Sequence, residues 1–137
     1  MQRAVAGAPS AAQLRRFALA ALQTSAPARA AITLRVAGAA EGKRLNSKFR
    51  GRRHATNVLS FPYERGGGDI VLCHPVVAKE AREQGKTLRA HYAHLVVHGI
   101  LHLRGHDHLR KGDAARMERA EIRILRRLGL GDPYTLK

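Results

Sequence analysis

Five of the eight histidines of the chain fall in one short segment, HLVVHGILHLRGHDHLR, at residues 94–110. His98 and His102 are four residues apart, which on a helix places both rings on one face, one turn from each other. Gly105 allows the chain to turn after that helix, so that His108 can approach the same point. The resulting pattern, H-x-x-x-H-x-x-G-x-x-H, has the ligand spacing of the extended zincin motif, in which three imidazoles bind Zn²⁺. We therefore predict one zinc ion, held by His98, His102 and His108.

The same spacing predicts a catalytic rather than a structural metal. Three neutral imidazoles leave the fourth position of a tetrahedral zinc open to water, and the ion lowers the pKa of that water to about 7. Zincin peptidases place a glutamate directly after the first histidine as general base, whereas this chain has Gly99 there. The pattern therefore predicts metal-assisted hydrolysis without the base that a peptidase uses.

Three neighbouring residues are alternative ligands or supporting residues of the same site. His106 competes with His108 for the third ligand position. His94 lies one turn before His98 and is either an additional ligand or a polar residue that supports the ligands. Asp107 is a candidate to accept the remaining N–H of a metal-bound histidine, since such histidines usually donate it to a carboxylate or a carbonyl.

Helices and short strands alternate along the 137 residues, a length typical of one domain. Apolar periodicity, with the Pro, Gly, Ser and Thr residues that punctuate it, predicts the element bounds. The predicted helices cover about 10–23, 39–51, 74–84, 87–104 and 113–128, and the predicted strands cover 30–38, 57–63 and 69–73. Pro62 should confine its strand to an edge or an end. Cys73, in the apolar run DIVLC, should be a buried and inert thiol. These elements favour an α/β or α+β class.

The charge balance points to a polyanionic partner, since 25 Lys and Arg against 10 Asp and Glu give a net charge of +15. A coding bias toward arginine explains the same excess without any binding. In the basic segment KRLNSKFRGRRH, the candidate contacts to RNA phosphates are Arg44, Lys48, Arg52 and Arg53. The arginines of the last helix are interpreted as a solvated face, with an RNA contact as the alternative. No apolar run is long enough to cross a bilayer and the start of the chain lacks a signal peptide, so we expect a soluble, cytoplasmic protein.

Several segments together resemble the YbeY family of bacterial zinc-dependent endoribonucleases. HLVVHGILHLRGHDH is similar to the histidine signature of that family, and LNSKFRGRRHATNVLSFP, GDIVLC and LGLGDPY resemble further family segments in the same order. The resemblance implies an α+β fold, in which helices surround a small mixed sheet and the zinc site lies on a central helix and the turn after it. It also implies that Arg50 is a catalytic arginine of the cleft.

The activity that this resemblance implies is cleavage of single-stranded RNA, in maturation of the 3′ end of 16S ribosomal RNA and in ribosome quality control. The implied partners are ribosomal RNA, the small ribosomal subunit and assembly factors. We expect one domain over residues 1–137, with a first strand before Ala30 in doubt because that region is short and alanine-rich. Two rivals remain: a zinc peptidase, and a non-catalytic basic assembly factor whose zinc is structural. The sequence leaves open the oligomeric state and whether water or a 2′-hydroxyl attacks phosphorus.

Overall fold

The structure, a computed structural model, describes residues 2–3, 7–22, 32–38, 40–41, 44, 57–62, 68–103 and 113–134. The helices and strands that lie within these ranges as continuous segments follow one another in the order β1, α1, β2, β3, β4, α2, α3, α4. The strands are β1 (Gln2–Arg3), β2 (Ile32–Ala37), β3 (Val58–Pro62) and β4 (Gly68–Cys73). The helices are α1 (Ala11–Leu22), α2 (His74–Glu83), α3 (Leu88–Leu103) and α4 (Asp113–Arg127).

The four strands form one mixed sheet in the order β1-β2-β4-β3. β1 and β4 run parallel to β2, and β3 runs antiparallel to β4. β4 is a central strand, and its four consecutive buried residues, 70–73, fit a strand covered on both faces. Within the described ranges β3 pairs with β4 alone and ends at Pro62, in agreement with the edge position predicted for that proline. The short β1 shows that the doubted N-terminal region does contribute a strand.

The helix that carries the histidines, α3, is the centre of the helical layer. Most of its residues are buried, and they spread around nearly the whole circumference of the helix. A helix that is apolar almost all round has to be enclosed by other elements. α1, α2, α4 and the sheet supply that enclosure, and side chains such as Phe17, Tyr92, Ile100 and Met117 fill the space between them. The predicted α+β class is confirmed.

Side-chain caps begin α1 and α3 where the sequence predicted. At the start of α1, Ser10 Oγ accepts from the Gln13 backbone N–H at 3.2 Å, and Gln13 Oε1 accepts in return from the Ser10 N–H at 3.1 Å. This reciprocal pair is a capping box. At the start of α3, Thr87 Oγ1 accepts from the Ala90 N–H at 3.1 Å. These caps fix the first turn of α1 and of α3. The fixed start of α3 sets the position of each histidine along that helix.

Gly99 lets α3 lie close to the sheet. A Cβ atom at this position would come within 3.1 Å of Ile70 Cδ1 and 3.3 Å of Ile70 Cγ2 on β4. The position is buried, and it faces apolar side chains rather than an aqueous cleft. The structure therefore has no room for a glutamate at the place where a zincin peptidase has its general base.

Gly99→Glu, the change that would complete the peptidase motif, should destabilise the protein by about 3–5 kcal/mol, the usual cost of an uncompensated buried charge. Urea denaturation measures this. Gly131→Glu is the matched control, because Gly131 is exposed and an added Cβ would contact nothing within 4 Å. The control should change the stability by less than about 0.5 kcal/mol. Equal stability of the two variants would contradict the close packing of α3 on β4.

Cys73 is fully buried at the end of β4, as predicted for an inert thiol. Burial, assisted by the negative charge of Glu41, raises the pKa of the thiol to about 11. The thiolate is the nucleophilic form, so Cys73 is unreactive at neutral pH. None of the helices in the described ranges combines the length and the apolar character that a membrane span requires.

Candidate metal centre

Three histidines follow one another at four-residue intervals along α3, at positions 94, 98 and 102. The rings of His94 and His98 meet edge to face, with their centroids 6.2 Å apart. His94 and His98 are partly buried, whereas His102 is exposed near the end of the helix. The row of imidazoles thus runs from the packed part of the molecule out to its surface.

A buried carboxylate on the neighbouring helix α4 faces this row. Glu121 is fully buried, and its Oε2 lies 2.8 Å from His98 Nδ1 and 3.4 Å from His94 Nε2. One ligand-type atom from each of these three residues lies within 4.8 Å of the others. The two helices therefore bring together a cluster of donor atoms that could hold a metal ion.

Hydrogen bonds keep Glu121 ionised despite its burial. Burial by itself would raise the pKa of this carboxyl, but hydrogen bonds from His94, His98 and Tyr134 outweigh it and lower the pKa to about 2. A carboxylate can only accept, so His98 must donate its Nδ1–H. In a neutral ring this places the lone pair on Nε2, the nitrogen that can bind a metal.

The end of the chain closes over the same carboxylate. Gly129, with φ at +80°, ends α4 in a left-handed conformation, and the Leu130 N–H returns to the Leu125 carbonyl at 2.9 Å. The reversed chain then brings the Tyr134 hydroxyl to Glu121, to which it donates a hydrogen bond. His94 Nε2 lies 3.1 Å from the same hydroxyl. Tyr134 therefore contacts both helices of the cluster, α3 through His94 and α4 through Glu121.

A second histidine–carboxylate contact joins α3 to α2 and to the segment just before β3. His91 Nε2 lies 2.9 Å from Glu80 Oε1 on α2. Asn57, just before β3, donates to both oxygens of Glu80 at 3.0 and 3.3 Å. Burial lowers the pKa of His91, which favours a neutral ring that donates to Glu80. These bonds join α3 to α2 and to the sheet edge, and so fix the rotation that presents His94 and His98.

The predicted site residues divide into those that the structure describes and those that it does not. His98 and His102 lie one turn apart on α3, as the spacing predicted, and His94 joins the cluster around Glu121. Arg44 is exposed, and its guanidinium lies 3.7 Å from a carboxylate oxygen of Glu41. The remaining predicted residues lie outside the described ranges: Lys48, Arg50, Arg52, Arg53, His106, Asp107 and His108.

Glu121 and Tyr134 were missed as functional residues by the reasoning from sequence. A signal for Glu121 does exist, because its position falls on the apolar face of α4 between Met117 and Leu125, where a charged residue needs a partner. Asp107, a candidate acceptor for a histidine N–H, lies outside the described residues, and the structure shows Glu121 in such a role toward His98. Only the packing of α4 against α3 reveals the pairing.

Comparison with known proteins decides the family. The family model described as Endoribonuclease YbeY matches residues 6–129. The chain belongs to the YbeY family. An Endoribonuclease YbeY of Aromatoleum aromaticum is 52% identical to it over 142 residues, which cover 98% of this chain and 90% of the relative. Another, from an Azoarcus species, is 52% identical over 140 residues, and this chain spans only 54% of that longer relative.

A solved structure supports the fold of this YbeY family member. The solution structure of TM1509 from Thermotoga maritima superposes with a TM-score of 0.52 at 26% sequence identity. The match covers 90% of this chain and 87% of the other. The α+β arrangement of helices around a small mixed sheet is therefore shared between the two proteins.

Proposed function

We propose that this protein is a metal-dependent endoribonuclease that cleaves single-stranded RNA. Its membership of a family whose curated members are named endoribonucleases supports the reaction class. The observation that carries the metal-dependent part is the contact of Glu121 with His98 Nδ1 at 2.8 Å. Carboxylate–histidine–metal arrangements of this kind orient the ligand and raise its basicity.

The proposed ligands are His98, His102 and His108, and the proposed metal is zinc. Imidazole ligands suit Zn²⁺ among the available divalent ions. His98 fits this role, because Glu121 accepts its Nδ1–H and leaves the lone pair on Nε2. His102, one turn further along α3, is exposed, so a metal ion from solvent can reach it. When bound, the ion supplies Lewis-acid activation for attack at phosphorus.

The residues of the chain supply binding and orientation around that centre. Glu121 and Tyr134 hold His98 and His94 in fixed positions through buried hydrogen bonds. Arg50 is proposed to contact the phosphoryl oxygens and to stabilise the charge that builds on them. Gly99 offers no side chain for proton transfer, so the hydrolysis proposed here does not use a general base at that position.

A second arrangement of the metal is supported by the cluster itself. His94, His98 and Glu121 could bind an ion directly, since their donor atoms lie within 4.8 Å of one another. Glu121 would then be a ligand rather than the acceptor that orients His98. The first arrangement is favoured, because the Glu121 carboxylate is fully buried and already accepts hydrogen bonds from three side chains.

Glu121→Gln distinguishes the two arrangements. Glutamine still accepts a hydrogen bond from His98 but lacks the negative charge, so zinc affinity should fall by about 10–100-fold while the protein still binds one equivalent. Competition with a chromophoric zinc chelator measures this. Glu118→Gln is the control, since Glu118 is a half-exposed carboxylate one turn earlier on α4, and it should leave the affinity unchanged. Complete loss of binding in Glu121→Gln, with normal binding in His102→Ala, would establish Glu121 as a direct ligand.

The endoribonuclease proposal is tested by offering the purified protein both classes of substrate. Single-stranded RNA should be cut internally, and casein should remain intact. Cleavage of casein would favour the zinc peptidase, although Gly99 and its contact with Ile70 argue against that reaction. Failure to cut either substrate while zinc is retained would favour the non-catalytic assembly factor.

The biological substrate that we propose is ribosomal RNA, at the 3′ end of the 16S molecule. The partners would be the small ribosomal subunit and its assembly factors, and the site of action would be the cytoplasm. The net charge of +15 supports a polyanionic partner of this kind. Incubation with precursor small subunits, followed by mapping of the RNA ends, tests this step. Precursor ends that stay unchanged while model RNA is cut would contradict the ribosomal assignment alone.

A further inference from the structure

The outer face of α4 is made almost entirely of arginine. Apart from Ala115, every exposed residue that the structure describes on this helix is an arginine. The five residues, hereafter the α4 arginine stripe, are Arg116, Arg119, Arg123, Arg126 and Arg127. The exposed residues of α2 give a contrast, since there Lys79 and Arg82 are mixed with Pro75 and Glu83. A general excess of arginine would not by itself confine one sign of charge to one face.

The spacing of the stripe gives it a defined shape. At 3.6 residues per turn the five positions fall within an arc of about 100°, and they extend over roughly 17 Å along the helix axis. The buried positions Met117, Ile124 and Leu125 occupy the opposite side, against the core. The result is a narrow, straight band of positive charge on the surface.

Four of the five arginines lack an acidic partner among the residues that the structure describes. No carboxylate among the described residues forms an ion pair with Arg119, Arg123, Arg126 or Arg127. Glu118 lies outside the arc, and Glu121 points into the protein, where it is fully buried. The planar fork of each guanidinium matches the geometry of phosphate oxygens, which it binds in bidentate fashion.

We propose that the α4 arginine stripe docks a segment of RNA that is separate from the segment being cleaved. Glu121, which marks the side of α4 that faces the metal centre, lies roughly 170° around the helix from the middle of the stripe. A helix with its side chains is about 10–12 Å across, so the cleaved nucleotides cannot also contact the stripe. The docked segment therefore belongs to a longer RNA that continues around the protein. RNA is chosen as the polyanion because this inference rests on the proposed endoribonuclease function.

The test compares two double variants for RNA binding in the presence of a chelator, so that cleavage does not interfere. Arg119→Gln with Arg123→Gln removes two charges from the stripe, and Lys79→Gln with Arg82→Gln removes two exposed charges from α2 as the matched control. Each phosphate contact contributes about 0.7–0.9 to the slope of log K against log salt concentration. The stripe variant should therefore lower the magnitude of the slope by about 1.4–1.8 on a long, folded RNA, and the control should leave it unchanged.

A short single-stranded oligoribonucleotide completes the test. Without chelator, it should be cleaved equally well by the parent and by the stripe variant, because it cannot span the distance from the metal centre to the stripe. Arg126→Gln with Arg127→Gln provides an independent second pair on the same stripe and should weaken binding of the long RNA in the same way. Equal losses in the stripe and α2 variants, or no loss in either stripe pair, would overturn the docking proposal. A parent protein that binds long RNA through the stripe but never cuts RNA would instead contradict the proposed function.

Discussion

His98→Ala should abolish zinc binding and RNA cleavage together. Among the ligand candidates that the structure describes, His98 makes the shortest contact with a buried carboxylate, at 2.8 Å from Glu121. Its removal takes away a proposed ligand and also leaves Glu121, which is fully buried, without one of its donors. We expect metal content to fall from about one zinc per chain to background. Cleavage should fall to the rate of the metal-free protein, and both are measured on the same preparation.

The neighbouring histidines provide the controls for this prediction. His102→Ala and His108→Ala should behave like His98→Ala, whereas His106→Ala should keep both zinc and activity. Circular dichroism separates loss of metal from loss of fold. Full zinc retention in His108→Ala, combined with its loss in His106→Ala, would show that His106 is the third ligand. Full zinc retention in His98→Ala would contradict the site as a whole.

Arg50→Ala should reduce RNA cleavage by about 10²–10³-fold while zinc content and folding stay close to those of the parent. A loss of this size is usual when one donor to a charged transition state is removed. Arg50→Lys keeps the charge but lacks the planar fork of the guanidinium, so it should recover only part of the rate. Single-turnover cleavage of a short oligoribonucleotide is the measurement.

Arg52→Ala is the control for Arg50, since it removes an arginine from the same basic segment. We expect it to cleave the short substrate at the parental rate. If Arg50→Ala also cleaves at that rate, Arg50 has no role in the cleft and the metal centre acts without it. An equal loss in both variants would mean that the segment contributes general charge rather than a specific contact.

Much of the fold could be predicted from local patterns. Ser10 and Thr87 mark helix starts, Gly38 directly follows β2, and Pro62 ends an edge strand, because each residue type restricts the backbone or satisfies its N–H groups locally. The N-terminal strand was doubted because the region before Ala30, which includes Gln2 and Arg3, is short and alanine-rich. They pair with β2, which is an interaction over a long distance in sequence.

The candidate site could be predicted only in part, because some of its residues are also brought together over a long distance in sequence. The four-residue spacing of His98 and His102 is a local feature of one helix, so it could be recognised without any tertiary information. Glu121 lies 23 residues from His98, and Tyr134 lies 13 residues beyond Glu121. Their convergence depends on how α4 packs on α3 and on the chain reversal at Gly129. The residue pattern of a single helix or strand therefore cannot predict that Glu121 and Tyr134 contact the histidines.

His98 and its neighbours are proposed to hold a metal ion on which RNA cleavage depends. The most direct measurement follows zinc content and RNA cleavage in one preparation, first as purified, then after chelation, and then after addition of one equivalent of zinc. We predict about one zinc per chain and active protein at the start, loss of both on chelation, and recovery of both on addition of zinc. Cleavage that persists at the original rate in protein shown to be free of metal would contradict the claim.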